Sequence, residues 1–213
     1  MKNKSKVKKS TKKISITLFG ILTSILLILT GLNFWLNFRI DNIIDKKTYS
    51  NLVNEIKTSQ DLPSRFYNIY FQVTGSDGNL TTKKFLFYKT VALLSNYKLR
   101  KVGNICPCLD ASYGITFNTI DNWTVGLALE KDVSPKKCLD YYLSKFYFPY
   151  SVKGIQEASK FYYKKDLEQL SDNEMIEISI MTLNPSFYNK IRNPEKLKEK
   201  VRQIQKQIKE HEI

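Results

Sequence analysis

Residues 171–183 read SDNEMIEISIMTL, and this stretch indicates the fold class of the chain. Ser171 and Glu174 have the spacing of a capping box, in which each side chain bonds the backbone N–H of the other residue at the start of a helix. Apolar residues then lie on every side of the helix, which predicts that it is buried in the core. They are Met175, Ile176, Ile178, Ile180, Met181 and Leu183.

A second helix is predicted upstream, over about 136–148. Ser134 is a typical N-cap, and Pro135 suits the first helical position because its missing N–H has no helical partner there. The apolar residues that follow repeat at spacings of one and three, so they form a single stripe. They are Cys138, Leu139, Tyr142, Leu143, Phe146 and Tyr147.

The last predicted helix covers about 194–210 and begins with the same cap and proline at Asn193 and Pro194. Its apolar residues have spacings of four, three and four, a seam that would dock on the domain or on a partner helix. They are Leu197, Val201, Ile204 and Ile208. Because glycine, proline and strand-like alternation are all scarce, the chain is expected to be mainly α-helical.

The N-terminal region has the pattern of a membrane anchor. Seven lysines and no acid occupy the first 13 residues, and the next 25, ISITLFGILTSILLILTGLNFWLNF at 14–38, carry no charge. At about 1.5 Å per residue this span exceeds a bilayer core of about 30 Å. The preceding lysines place the N-terminus in the cytoplasm by the positive-inside rule. A cleaved signal peptide is the alternative, but its apolar region is shorter, about 7–15 residues, and ends in a small-residue cleavage site that this span lacks.

The expected organisation has four parts: a basic cytoplasmic tail at 1–13, a transmembrane helix at 14–38, a juxtamembrane helix or linker at 39–60, and an extracytoplasmic domain at 61–213. The chain is therefore expected to be a single-pass protein of the plasma membrane. The formal net charge is +14, and attraction of the tail to anionic lipid explains it. Membrane lipid is therefore an expected partner and nucleic acid is not.

The chain has three cysteines, Cys106, Cys108 and Cys138, and one histidine, His211. These are too few soft ligands for a zinc site, so neither a metal nor another cofactor is expected. If the domain is extracytoplasmic, Cys138 can form a disulfide with Cys106 or with Cys108. Three unbonded, small apolar side chains are an equally open alternative.

From Gly126 to Glu195 the chain reads GLALEKDVSPKKCLDYYLSKFYFPYSVKGIQEASKFYYKKDLEQLSDNEMIEISIMTLNPSFYNKIRNPE. It resembles the second half of a glycosyltransferase family 51 domain, the peptidoglycan transglycosylase module of class A penicillin-binding proteins. The motifs ALRLE, SKEEILELYLNxIYFG, YG(V/I)EAA, YFGKxLxELTxxE and PSxYNPxxNPE are matched in order and without gaps. Matching residues include Leu127, Glu130, Ser134, Tyr142, Gly154, Lys165, Glu174, Tyr188 and Pro194. The resemblance implies a lysozyme-like helical domain behind an N-terminal anchor.

The resemblance also implies where chemistry should lie. In the family a glutamate in EDxxFxxHxG acts as general base on the acceptor sugar hydroxyl, and a second in RKxxE assists near the pyrophosphate or its metal. Here the first position falls near Thr74 and the second on Asn122, with Asp77 and Asp121 as weak substitutes. The GxSTxTQQ segment that shapes the family's cleft is not recognisable, and part of the catalytic lobe is missing. The domain is therefore expected to be degenerate and truncated, with no catalytic residues.

Three functions are compatible with this sequence. The favoured one is a catalytically inactive, membrane-anchored protein of cell-wall synthesis that binds a partner protein, a glycan or a lipid-linked precursor. The second is a divergent active glycosyltransferase that uses Asp77, Asp110 or Asp121 as its base. The third is a membrane-tethered structural module. Loss of both glutamates together with the TQQ segment argues against catalysis, because each has a different task.

An aromatic cluster near the second predicted helix has two interpretations. It is either a surface that faces a glycan or a membrane, or part of the core, and the core is expected for most of its members. They are Phe148, Tyr150, Phe161, Tyr162 and Tyr163.

Overall fold

The computed structural model describes residues 19–211, except 25, 29, 32–33, 36–37, 77, 79, 96–104, 114 and 117, with the backbone alone at 90, 92–95 and 211. The chain divides into two compact units, Met1–Asp45 and Lys46–Ile213. The predicted tail at 1–13 lies outside the described residues, as do several positions of the span predicted at 14–38.

In the first unit, the described residues between 19 and 43 are helical. Large apolar side chains there are exposed, among them Phe19, Leu27 and Phe34. The guanidinium of Arg39 lies 5.2 Å from the ring centroid of Trp35. Within the part of the chain that is described, none of the helices combines the length and the apolar composition of a membrane span.

The second unit is mainly α-helical, as predicted. Its described elements, in chain order, are α1 (Lys46–Lys57), α2 (Ser64–Thr74), α3 (Thr82–Ser95), α4 (Pro107–Ser112), α5 (Thr119–Asp132), α6 (Pro135–Lys145), β1 (Tyr147–Phe148), β2 (Val152–Lys153), α7 (Ile155–Tyr163), a 3₁₀ turn (Leu167–Gln169), α8 (Asp172–Leu183) and α9 (Pro194–His211).

Helix α8 is the centre of the core. Met175, Ile178 and Ile180 are fully buried, and the helix packs against α2 and α9. The capping box forms as predicted: Ser171 Oγ accepts the N–H of Glu174 at 3.3 Å, and Glu174 accepts the N–H of Ser171 at 2.8 Å. The prediction of a capped helix at 172–183 that is buried in the core is therefore confirmed.

Helix α6 starts where predicted and ends earlier. Ser134 caps it by accepting the N–H of Lys137, and Pro135 is its first residue. The predicted end at about 148 is wrong, because the chain turns extended at Phe146, whose carbonyl accepts the N–H of Gly154 at 2.8 Å. Tyr147–Phe148 then pairs antiparallel with Val152–Lys153.

Helix α9 docks on the domain through its predicted seam. Leu197, Val201 and Ile204 are buried in the main core, and Ile208 is partly buried against it. The side chain of Asn193 donates to the carbonyls of Ser186 and Phe187, at 3.3 and 3.2 Å, and so also orders the loop that precedes the helix.

Helix α1 belongs to the second unit. It packs against α6 and buries Leu52 and Ile56. Tyr49 donates to Asp132 at 2.7 Å, and Lys145 pairs with Glu55 at 2.5 Å. The compact unit therefore begins at Lys46, within the segment at 39–60 that was expected to be a juxtamembrane helix or linker.

Candidate functional site

The position near the family's first glutamate, Thr74, is the last residue of α2. Gly75 ends the helix in the left-handed conformation, with φ of 67°. Thr74 is 8% exposed, and its hydroxyl donates to the carbonyl of Tyr70 at 2.8 Å. This hydroxyl is thus occupied within its own helix. Asp77, the nearest acid in sequence, lies outside the described residues.

The position of the second glutamate, Asn122, is in the first turn of α5. The helix is capped by Asn118, whose side chain accepts the N–H of Ile120 at 2.9 Å. Asn122 is 4% exposed, and its Nδ2 donates to the carbonyl of Thr116 at 3.2 Å. Its Oδ1 has no hydrogen-bond partner among the described residues. An uncharged, buried amide that fastens a loop therefore occupies this position.

Asp121 lies beside Asn122 on α5 and is half-buried. Because successive residues of a helix are about 100° apart, its carboxylate leaves the helix in a different direction from the Asn122 amide. Adjacency in sequence therefore does not put this carboxylate in the place of the family's second glutamate.

Asp110 is an acid that packing removes from most contact with water. It lies on the short helix α4, which packs against α5 and α6. Burial raises the pKa of its carboxyl to about 7, although the N–H of Cys106 donates to Oδ2 at 2.8 Å and opposes the shift. The charge of Asp110 also contributes to raised pKa values at Tyr113 and Tyr142, where burial is the main cause. A carboxyl that titrates near neutral pH thus lies beside two tyrosines, of which Tyr113 is exposed.

A disulfide between Cys108 and Cys138 fastens α4 to α6, with 4.9 Å between the two Cα atoms. Cys106 is free and buried, and burial raises the pKa of its thiol to about 12. Of the pairings left open by the sequence, the one between Cys108 and Cys138 is formed. The backbone of α4 is held against α5 as well, because a Cβ at Gly126 would lie 3.1 Å from the Cα of Leu109.

Comparison with known proteins identifies the C-terminal part of the chain. Residues 115–209 match the family described as Transglycosylase. These residues are a transglycosylase-family segment. The resemblance inferred from the motifs between Gly126 and Glu195 is therefore confirmed, as a partial domain.

Penicillin-binding proteins share this segment. The chain is 37% identical over 76 residues to penicillin-binding protein 1F of Bacillus subtilis (strain 168), which covers 36% of this chain and 11% of that protein. It is 30% identical over 82 residues to penicillin-binding protein 4 of the same organism, and the match covers 38% of this chain and 13% of that protein. It is 32% identical over 75 residues to penicillin-binding protein 1A of Pseudomonas aeruginosa, and the match covers 35% of this chain and 9% of that protein. The chain thus matches only a small fraction of each of these relatives.

The transglycosylase segment contains Asn122 but neither Thr74 nor Asp110, which precede it. Its matched glutamate Glu130 is structural: the carboxylate accepts the backbone N–H of Thr82 at the start of α3. An acid at a helix N-terminus satisfies an open donor and interacts favourably with the helix dipole. Glu130 therefore connects α5 to α3.

The aromatic cluster is divided between core and surface. Phe148, Tyr162 and Tyr163 are buried, as expected for most of the cluster, whereas Tyr150 and Phe161 are exposed. Their rings stack with centroids 5.9 Å apart and planes at 26°. Tyr147, which the sequence assigned to the apolar stripe of α6, is 66% exposed. The early end of that helix explains this error, since alternation along β1 turns Tyr147 outward and Phe148 inward.

Proposed function

We propose that this protein is a membrane-anchored, non-catalytic relative of the peptidoglycan glycosyltransferases. In this proposal it acts in cell-wall synthesis by binding the sugar-peptide units of a nascent glycan strand or of the lipid-linked precursor. The shared chemistry of the two ligands is a disaccharide that carries a peptide.

The observation that carries the proposal is the environment of Asn122. An amide is neither basic nor charged near neutral pH, and the Asn122 amide is buried and donates a hydrogen bond to the carbonyl of Thr116. General-base assistance typically contributes about 10²–10⁴-fold in rate, and electrostatic stabilisation is often the larger effect. A segment that keeps the family's helices without this charge is suited to holding the ground state, and binding alone does not lower the barrier.

The proposed topology follows from the charge pattern of the N-terminal region. It has a cytoplasmic tail at 1–13, a membrane span at 14–38 and the folded unit on the outer side of the plasma membrane. Protease added to intact cells stripped of their wall is expected to digest residues beyond 39. Protection of the second unit in that assay would contradict the topology.

Asp110 supports a second candidate function, a divergent active glycosyltransferase. A carboxyl with a pKa of about 7 is half ionised at neutral pH, the condition in which a general base is most effective. The neighbouring exposed Tyr113 can contact a substrate. In this alternative the base has moved from the position of Thr74 to α4.

The test measures polymer and binding side by side. The full chain in detergent is given labelled lipid-linked disaccharide-peptide, and both glycan polymer and bound precursor are quantified. Bound precursor without polymer supports the main proposal. Polymer formed at an enzyme-like rate, lost in Asp110→Asn and kept in the neighbouring control Asp121→Asn, supports the second candidate. If neither bound precursor nor polymer is detected, both candidate functions are contradicted, and a structural module or a protein partner is favoured.

A further inference from the structure

The outer face of the β1–β2 hairpin and the end of α7 carry exposed aromatic rings. Tyr147 is 66% exposed, Tyr150 48% and Phe161 37%. Two lysines lie over these rings: Lys153 Nζ is 5.3 Å from the centroid of Tyr147, and Lys164 Nζ is 5.6 Å from that of Phe161. We call these five residues the hairpin surface.

The backbone holds the hairpin surface in an unusual conformation. Tyr150 and Ser151, at the turn between β1 and β2, have positive φ values of 68° and 58°. Lys164, which ends α7, has φ of 58°. Side chains with a Cβ avoid this region, so a bulky tyrosine there costs free energy that the fold must offset. The conformation places the Tyr150 ring against Phe161 and fixes the stack before any ligand arrives.

The lysines of the hairpin surface differ from their neighbours in their ion pairing. Lys160 and Lys165, on the same part of the chain, pair with acids, namely Glu157 and Asp166 for the first and Glu174 for the second. Lys153 and Lys164 form no such pair among the described residues, and Lys164 donates to the carbonyl of Phe161 at 3.1 Å. Lys164 thus lies over one ring of the Tyr150–Phe161 stack and Lys153 over Tyr147 on the same hairpin, and the described part of the chain gives neither lysine an acidic partner.

We propose that the hairpin surface binds an acidic glycan strand. The C–H faces of its sugar rings pack on Tyr150 and Phe161, and its carboxylates pair with Lys153 and Lys164. This inference rests on the proposed function for the class of ligand and adds the place of binding, which uses neither Thr74 nor Asn122. Fixed rings lose little conformational entropy when a ligand binds, and opposite charge orients the strand.

A glycan fits this surface better than a lipid bilayer does. The tip of the hairpin reads Pro149, Tyr150 and Ser151, with no aliphatic side chain that would insert among acyl chains. Tyr150 offers a hydroxyl group as hydrogen-bond donor and acceptor in the stack, and Tyr147 offers a second one on the same hairpin. Sugar hydroxyls use such partners, whereas hydrocarbon does not.

The first test changes the stack without disturbing the turn. Tyr150→Asn suits it, because asparagine is among the residues that most readily adopt positive φ. The probe is soluble, uncross-linked peptidoglycan strands that keep their stem peptides, titrated calorimetrically into the full chain in detergent. Tyr150→Asn is expected to weaken binding about three- to tenfold, the range for loss of an aromatic contact. Phe187→Ala is the matched control, since Phe187 is 43% exposed and lies under Lys196 at 4.3 Å, and it should leave affinity unchanged.

The second test addresses the charges. Lys153→Gln combined with Lys164→Gln should weaken binding to these strands but leave binding to strands with amidated carboxylates unchanged. Added salt should weaken binding to the parent protein more than to this double variant, because exposed ion pairs are screened.

Three results would overturn the inference, and they differ in what else they imply. Equal affinity in the parent and in Tyr150→Asn rejects the hairpin surface alone and leaves the proposed function standing. No binding by the parent protein rejects the glycan class itself. The third measurement uses the variant Tyr150→Trp in proteoliposomes that contain brominated lipid. If the lipid quenches the fluorescence of the added tryptophan, the hairpin surface contacts the membrane.

Discussion

The phenolic hydroxyl of Tyr67 donates a hydrogen bond to Oδ1 of Asp140 and so joins α2 to α6. Asp140 is 1% exposed, its Oδ1 also accepts the N–H of Leu62 at 3.4 Å, and its Oδ2 has no partner among the described residues. Burial raises the pKa of this carboxyl. A buried acid with so few donors depends strongly on each one that it has.

Tyr67→Phe should therefore destabilise the fold by about 1–3 kcal/mol, because it removes one of the two hydrogen-bond donors that the described residues give to a buried carboxyl. Thermal or denaturant unfolding of the full chain measures the loss. Tyr49→Phe is the matched control, because its hydroxyl donates to the exposed Asp132, and it should cost well under about 1 kcal/mol. Equal losses in the two variants would contradict a special role for Asp140.

Glu174 makes the stability of the second unit depend on pH in the acidic range. Hydrogen bonds from Lys165, together with the N–H of Ser171, lower the pKa of its carboxyl to about 2 from an ordinary 4.5. Because the folded-state pKa is the lower one, this stabilisation is present above pH 4.5 and is lost as pH falls toward 2. Glu174→Gln should cost about 1 kcal/mol at pH 7, and its difference from the parent should shrink steadily below pH 4.5.

The measurement for Glu174→Gln is urea unfolding at a series of pH values between 7 and 3. Glu195→Gln is the control, since it removes a surface-exposed partner of Lys198 at 2.9 Å. A constant difference between Glu174→Gln and the parent across the series would refute the assigned pKa.

The Cys108–Cys138 disulfide should contribute about 2–4 kcal/mol to stability by restricting the unfolded chain. A thiol reductant is therefore expected to lower the melting temperature of the parent. It should do the same in Cys106→Ala, whose thiol is unpaired, and have no effect in the double variant Cys108→Ala with Cys138→Ala. Reductant sensitivity that depends on Cys106 instead would reassign the bond.

Gly126 is required for the approach of α5 to α4. A Cβ there would lie 3.1 Å from both Leu109 Cα and Thr82 Oγ1, so Gly126→Ala should destabilise by about 1–3 kcal/mol despite the better helix propensity of alanine. Gly75→Asn is a fitting comparison, because a Cβ at Gly75 meets nothing within 4 Å and asparagine tolerates its positive φ. Chemical denaturation distinguishes the two, and a neutral Gly126→Ala would mean that α4 can shift.

Local signals in the sequence were enough for the C-terminal half of the fold. The caps at Ser134 and Ser171 predict a helix from neighbouring residues alone, since the backbone donors that they satisfy lie within one turn. The seam of α9 predicts a helix from apolar residues three and four positions apart. The end of α6 was misplaced because the signal for it is not local. It comes from Gly154, eight positions after Phe146, which supplies the N–H that holds the chain extended.

The candidate site depended on contacts between distant residues, and the sequence could place it only by resemblance. The sequence shows that residue 122 is an asparagine. It does not show that this side chain is buried or that it forms a hydrogen bond with the carbonyl of Thr116. Asp110 is one of three candidate acids in the sequence, and the packing of α4 against α5 and α6 distinguishes it. Likewise, the spacing did not show that Tyr150 is exposed, because a turn with positive φ sets the direction of its side chain.

Helix α9 is attached to the unit along only part of its length. Leu197, Val201 and Ile204 are buried, and Gln205 donates to Asn173 at 2.6 Å. Beyond Gln205, Ile208 is the only side chain of the described residues that packs against the core. Backbone amides in the first turns should exchange with deuterium only when the whole unit opens, and those from Lys206 onward should exchange through local fraying. The helix therefore carries a gradient of protection along one continuous element, and a protease that needs an unwound substrate should cut it from its far end inward.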